Sequence, residues 1–487
     1  MVTCASIYLE VWTVAGGVKQ FWKRREKIMK RVMSILLAAA LAAGLTACGS
    51  NASDGTATTA APAGSTEAQI TGGAGGEKVT LTFAASVYVE EPHRAAIDKL
   101  ISRYIELNPN VSVEIFGAGW ADYWNNLTTE VLAGNEADII QVYPENIASY
   151  NSLLADGVCV DLAPYISASG ITADQLSGQE FCTIDGKTLA FANYAWGTTG
   201  IFYRKSMLEE KGIDPESIKT QENFLEACKA FAEDGKYGMG VVVSSHSFVV
   251  SEWCRMLARP VSEGLYFPDG EVGPYTADRV NVNSPENVWA AEWWQRYLMD
   301  EKGGKPVPDK KDSRELFWNK EVPFNYDGPW FVGMTRERDA ALMDDIGLIP
   351  SFDVVYEGKT YKPNPTNYPL VTMLSKNCKN PDEAWKFMEW MASDEAQALV
   401  ADCGMIPSNK AYASTPEYIA GHELEQKFLT FAEENYTDLV SDPAIPQQQE
   451  LSQVMIDATQ AMFSEQRADA KTTLDDAAKQ IQEIMNK

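Results

Sequence analysis

Residues 79–83 read Val-Thr-Leu-Thr-Phe, apolar and polar in alternation, the period-two pattern of a strand with one buried face. Beyond them Ile97, Leu100, Ile101, Tyr104 and Ile105 recur at helical spacing, Asn108-Pro109 ends that helix, and residues 111–115 alternate again. Strand, helix and strand in that order predict a parallel βαβ unit, whose sheet is covered on both faces. A second helix over 123–132 and a third strand over 137–142 extend the pattern, so the expected fold class is α/β. Further along, Asn380-Pro381-Asp382-Glu383 supplies an N-cap, a first-turn proline and a capping-box glutamate ahead of Ala384, Phe387, Met388 and Met391. Ser284-Pro285-Glu286 opens another helix, predicted to run to about Met299. Residues 470–485 read as a closing amphipathic helix with Leu474, Ala478, Ile481 and Ile484 or Met485 inside. No repeat of fixed period is present.

The front of the chain follows other rules. Lys30 and Arg31 precede an apolar run over 32–45 and then Thr46-Ala47-Cys48-Gly49, which describes a secretory signal. The run is short of the roughly 20 apolar residues that a spanning helix needs. Leu45-Thr46-Ala47-Cys48 resembles the bacterial lipobox, which implies cleavage before Cys48, lipidation of its thiol and anchoring by acyl chains at about 0.8 kcal/mol per buried CH₂. Residues 1–28, with Trp12, Trp22 and a basic cluster, stand ahead of a complete signal, so the expected start is Met29. From Gly49 to about Glu77 the chain is Ser, Ala, Thr and Gly with almost no large apolar residue, and a flexible tether spanning about 30 Å is expected there.

Residues 78–487 are long enough for two α/β lobes. The chain is 45% hydrophobic with a net charge of −27, which makes nucleic acid and anionic lipid surfaces poor partners. Thirteen Trp and 20 Tyr exceed what a core alone needs, and flat aromatic faces suit sugar rings. Six of the eight cysteines remain once Cys4 and Cys48 are set aside: Cys159, Cys182, Cys228, Cys254, Cys378 and Cys403. An exported chain permits up to three bridges among them, and spacing does not choose the pairing. With no Cys-x-x-Cys and only His93, His246 and His422, neither a metal site nor a haem or other cofactor is expected.

Several motifs, in order, carry a resemblance. They are Gly119-Trp120-Ala121-Asp122-Tyr123 with Ala137-Asp138-Ile139-Ile140; Gly200-Ile201-Phe202-Tyr203-Arg204 with Lys211-Gly212-Ile213; Pro323-Phe324-Asn325-Tyr326-Asp327-Gly328-Pro329-Trp330; and Ser375-Lys376, Asn380-Pro381, Trp385-Lys386-Phe387 and Gly404-Met405-Ile406-Pro407. Together they resemble the extracellular solute-binding protein family (family 1) that serves sugar ABC importers. The resemblance implies a two-lobed, periplasmic-binding-protein-like (class II) fold with a hinge and an inter-lobe cleft. The lobes would be about 78–193 plus 365–403, and about 194–364 plus 404–487. It further implies a monomer without chemistry of its own, anchored on the exported face of the cell membrane, that captures a sugar, an oligosaccharide, and delivers it to the permease subunits.

Clefts of open α/β sheets lie beyond the carboxyl ends of strands. By the resemblance, Trp330 corresponds to the family's stacking aromatic; a core Trp is the alternative. Asp327 in the same turn either accepts from sugar hydroxyls or caps the turn. Trp120 and Tyr143 follow the second and third strands. Trp196 faces the cleft or packs the hinge, and Glu90 either contacts ligand or is a solvated start to the helix beginning at Pro92. A glycoside hydrolase would need two carboxylates roughly 5–10 Å apart, and no motif singles out such a pair. A glycan-binding surface lipoprotein not coupled to transport would use the same cleft, and a peptide ligand also fits the aromatic content.

Overall fold

The computed structural model describes residues 65–70 and 78–487, apart from 119, 233–234, 245–247, 365 and 436–441; the side chains of 65–70, 120 and 121 lie outside that description. Cys48, the signal segment and His246 are likewise outside it.

The chain lays down β1 (Ser65–Ile70), β2 (Val79–Ala84), β3 (Val111–Ala118), β4 (Ile139–Val142) and β5 (Phe191–Trp196). It then builds a second sheet from β6 (Gly200–Arg204), β7 (Met239–Val242), β8 (Gly304–Val307), β9 (Phe324–Asp327) and β10 (Ile346–Ile349). It returns to the first sheet with β11 (Leu370–Leu374) and β12 (Ile406–Pro407). The first sheet has the order β1-β3-β2-β4-β11-β5-β12 and the second β8-β7-β9-β6-β10. β2 is parallel to β3 and β4, joined to β3 by the helix Glu91–Leu107, as the alternating and helical periods predict. β11 enters antiparallel between β4 and β5, so the first sheet is closed by chain that has already crossed to the second and come back.

Separate cores back the sheets. Leu81, Phe83, Val113, Ile140 and Leu370 belong to the first; Phe224, Trp253, Tyr297 and Phe324 to the second. A third cluster, with Trp196, Phe202, Phe331, Ile406 and Phe428, draws on both. The first sheet keeps the chain through Trp196 and takes Ile406–Pro407 as its last strand.

Three expectations are corrected. Ser65–Ile70, expected within the tether, pairs antiparallel with β3 from Ser65 opposite Ala118 to Ile70 opposite Val113. An edge strand offers unpaired backbone groups, so extended chain can add to it without large apolar side chains of its own. The Asn380 side chain makes no capping bond; its backbone carbonyl takes the Ala384 amide at 3.0 Å instead. The bridges that an exported chain permits are not formed, since Cys159, Cys182, Cys228, Cys254, Cys378 and Cys403 are all free. All but Cys378 are buried, and they are dispersed: Cys159 meets Met373, whereas Cys228 meets Tyr297. The Ser284 cap does form, accepting from the Asn287 amide, and the helix Pro285–Gln295 continues into a π-helical turn, Arg296–Asp300.

Buried carboxyls give the fold a pH signature. Burial pushes Glu271 up to about 7 against the pull of Arg259, and pushes Glu425 up to about 7 against Arg336 at 2.9 Å; the ordinary value is 4.5. Between 4.5 and about 7 these carboxyls are protonated when folded and ionised when unfolded, so stability falls as pH rises through that window. Buried Glu252 shifts in the same direction. His93 opposes them: burial lowers it to about 3, so its contribution grows with pH up to its ordinary 6.5. With the carboxyls outnumbering it, the melting temperature is expected to be several degrees lower at pH 8 than at pH 5.5, and Glu425→Gln should narrow the gap. A flat profile in calorimetry would contradict the sign.

Candidate functional site

β9 ends at Asp327, and Gly328-Pro329 leads directly into the helix Trp330–Arg338. The fully buried Asp327 carboxylate accepts from Arg314 Nε at 2.8 Å and Nη2 at 3.2 Å, from the Gly328 amide at 3.0 Å and from Trp330 Nε1 at 2.5 Å. Burial alone would raise its pKa. Arg314, Lys310 and the hydrogen bonds outweigh that and hold it below the usual carboxylate range. Asp327 thus fastens an arginine of the helix Lys310–Trp318 and the indole of the next helix to the end of β9.

The indole lies across two glycines. A Cβ at Gly328 would stand 2.2 Å from the ring and one at Gly197 3.3 Å from it. Gly328→Ala is therefore expected to displace Trp330 and weaken ligand binding about tenfold, a loss of about 1.4 kcal/mol, with the fold retained; calorimetric titration beside circular dichroism checks this.

Tyr368 stands two residues before β11 and exchanges backbone hydrogen bonds with Gly197 at 2.8 and 3.3 Å, where the chain crosses between sheets. Its ring meets Trp330 edge to face, with centroids 6.1 Å apart at 87°, and meets Tyr143 in the same way at 6.3 Å and 86°. Tyr143 follows β4 directly and precedes the helix Pro144–Asn151. Burial, and secondarily Glu90, raises its pKa, so the phenol keeps its proton and can donate. The Arg255 guanidinium covers Tyr368 at 4.2 Å from the ring centroid. Aromatic groups from both sheets thus meet at one place.

Glu90, at the start of the helix Glu91–Leu107, borders a groove of about 460 Å³ whose opposite wall carries Arg314, Trp318 and Met334. Its side chain is 38% exposed, open on one side and enclosed on the other. That enclosure raises its pKa, Arg314 opposes the rise and Asp327 adds to it. Behind it, the buried imidazole of His93 has Nδ1 3.0 Å from the Tyr194 hydroxyl and Nε2 4.0 Å from Glu90. A larger recess, about 800 Å³, is lined by Leu176, Trp390, Asn409 and their neighbours, with no residue from the second sheet.

A family model described as "Bacterial extracellular solute-binding protein" matches residues 99–426. The chain belongs to that family. Among similar proteins, the maltodextrin-binding protein of Bacillus subtilis (strain 168) is 23% identical over 461 residues, 94% of this chain and 98% of its own length. The maltotriose-binding protein of Pyrococcus abyssi is 22% identical over 320 residues, 65% of this chain and 64% of its own length. The maltose-bound MalE3 of T. maritima superposes with a TM-score of 0.70 at 17% identity, over 83% of this chain and 99% of that one. An ABC substrate-binding protein of Listeria monocytogenes in complex with cycloalternan gives 0.69 at 17%, over 84% and 100%. The fold is that of the two-lobed solute-binding proteins. No helix among the described residues is long and apolar enough to cross a membrane.

Within this solute-binding fold the six residues singled out from sequence are placed unevenly. Trp330 and Asp327 are bonded to each other, Tyr143 joins Trp330 through Tyr368, and Glu90 lies within electrostatic reach of Asp327 and Arg314. Trp196, the last residue of β5, pairs with Ile406 and is buried in the cluster shared by both sheets. Trp120 opens the helix Trp120–Ala133, and its side chain is outside the described set. Sequence reasoning missed Tyr368, Arg255 and Arg314. Asn367-Tyr368-Pro369 just before a strand was a findable signal for the first; the two arginines carry none.

Proposed function

We propose that this protein is the capture component of an ABC importer for a carbohydrate, an oligosaccharide, bound between two lobes and handed to the permease. The observation that carries this reading is the meeting of Trp330, Tyr368 and Tyr143 between the two sheets. Family membership supports it, as do relatives named for maltodextrin, maltotriose and lactose. The lobes proposed are residues 78–193 plus 365–403 and 194–364 plus 404–487, with the crossings at Gly197 and Tyr368 in the hinge. Trp330 and Tyr143 supply ring faces, and the Tyr143 hydroxyl and Glu90 address sugar hydroxyls. Asp327 acts through Trp330, Trp196 packs the hinge, and Trp120 is assigned to the cleft by its place after β3. A ligand that touches both lobes favours the closed state, and the permease recognises that state.

The test is a thermal-shift screen of the unlipidated chain from Gly49 onward against mono- and oligosaccharides, with peptides and polyamines as controls. A ligand at 100 times its Kd stabilises by about 2.7 kcal/mol. A saturable shift with one sugar family and no turnover is expected. Product formation would favour a glycosidase, and a response to peptide alone would replace the ligand class.

Cys48 is proposed as the lipidated anchor, holding a monomer on the exported face. Cys48→Ser is expected to move the protein from the membrane fraction to the medium and abolish fatty-acid labelling; retention of label would reject the assignment.

A further inference from the structure

The helix Phe248–Trp253 widens into a π-helical turn, Cys254–Ala258, and Arg255 lies within that turn. Such turns are frequent at functional sites because the wider step re-aims a side chain. Here it brings a half-buried guanidinium against Tyr368, whose ring also meets Trp330 and Tyr143.

Arg255 forms no hydrogen bond or ion pair with any described residue. Its neighbours differ: Arg314 is held by Asp327, and Arg259 donates to Thr366 at 2.7 Å. Asp442 lies within electrostatic reach, but its carboxylate accepts from Gln448 at 3.0 Å and burial favours its neutral form. Asp442 is thus the charge neighbour of Arg255 among the described acids, and it is not hydrogen-bonded to the guanidinium. A guanidinium partly withdrawn from water, with five donors in a planar fork, is suited to receive a carboxylate in bidentate fashion. A sugar hydroxyl also accepts a charge-assisted bond from a guanidinium, but only a carboxylate matches the fork with two oxygens of one group and adds the opposite charge.

We propose that Arg255 receives an anionic group, so that the ligand of this cleft is a carboxylate-bearing oligosaccharide, one built of or ending in a uronic acid; this rests on the carbohydrate reading above. Sugar faces pack on Trp330 and Tyr143 while the carboxylate meets the fork beside Tyr368. The stacking sets the register, and Arg255 sets the selection.

The experiment is calorimetric titration of the wild-type chain, Arg255→Met and Arg255→Lys with trimers of galacturonate and mannuronate and a glucuronate-bearing trisaccharide. Maltotriose, cellotriose and xylotriose serve as neutral probes of the same length. At least one uronate probe is expected to bind the wild type about thirtyfold or more tighter than every neutral one. Arg255→Met should remove that margin with the ligand-free melting temperature unchanged, and Arg255→Lys, which keeps the charge but not the fork, should recover part of it. Neutral trimers binding as tightly as all the uronates, or a preference that survives in Arg255→Met, overturns the proposal and leaves the carbohydrate reading standing. Silence from every carbohydrate with a response to peptide removes both. Should Arg255→Met not fold, the wild-type preference and the lysine variant decide.

Discussion

Asp327→Ala is expected to lower the melting temperature by on the order of 10 °C and to weaken ligand binding at temperatures where the variant is still folded. The carboxylate is fully buried, and its removal strands four donors at once: the Arg314 guanidinium, the Trp330 indole N–H, the Asn325 side-chain amide and the Gly328 amide. Arg314 is itself only 14% exposed, so water cannot easily take the place of the lost carboxylate. Removing one partner of a buried pair typically costs about 3–5 kcal/mol, because the surviving charge stays unpaired. The pH dependence gives a second check. A carboxyl held below its ordinary pKa adds stability above that ordinary value and loses it as pH falls through the folded one. The wild-type and Asp327→Ala melting curves should therefore converge on acidification below about pH 4. A variant that melts within a degree of wild type and binds ligand equally well would mean that the pair does not hold the turn.

Trp330→Ala is expected to weaken carbohydrate binding by about 2–4 kcal/mol, roughly thirtyfold to a thousandfold, as for an aromatic anchor at the centre of a site. The cost to stability should be smaller, about 1–3 kcal/mol, because the ring is only partly buried although it packs against two core clusters. Trp330→Phe separates the roles. It restores an aromatic face but has no N–H for Asp327, so it should recover much of the affinity and less of the melting temperature. Affinity and melting temperature falling in strict proportion across the two variants would place Trp330 in the core rather than in the site. Isothermal titration with the sugar found in the screen, beside differential scanning calorimetry, reads both quantities.

Local physics was legible in the chain. The alternation at 79–83, the stripe from Ile97 to Ile105 and the stop at Asn108-Pro109 each act within one element, and β2, the helix Glu91–Leu107 and β3 follow them closely. The same holds for the Ser284 cap and for the closing helix Ala470–Met485, whose buried face carries Leu474, Ala478, Ile481 and Ile484. The ordered motifs likewise identified the family before any fold was known. Trp330 could be nominated because its turn is a contiguous string of residues, whereas its bond to Asp327, which engages the carboxylate within the protein, could not be read from that string.

What lay beyond the sequence depends on chain brought together from far apart. Tyr143, Arg255, Trp330 and Tyr368 meet because the chain leaves the first sheet after Trp196, builds the second and returns as β11. The docking of Ser65–Ile70 on β3 depends on an edge that exists only once β3 has paired with β2. The free cysteines are also a tertiary result, since a bridge needs two thiols at bonding distance and spacing along the chain says nothing of that distance. The α/β class, the family and the elements named above could be read along the chain, because hydrophobic period and turn chemistry act between near neighbours. Which side chains meet between the sheets, and how buried charges such as Asp327 and Arg314 are partnered, follows from the folded arrangement, because burial and partnership are properties of the assembled sheets.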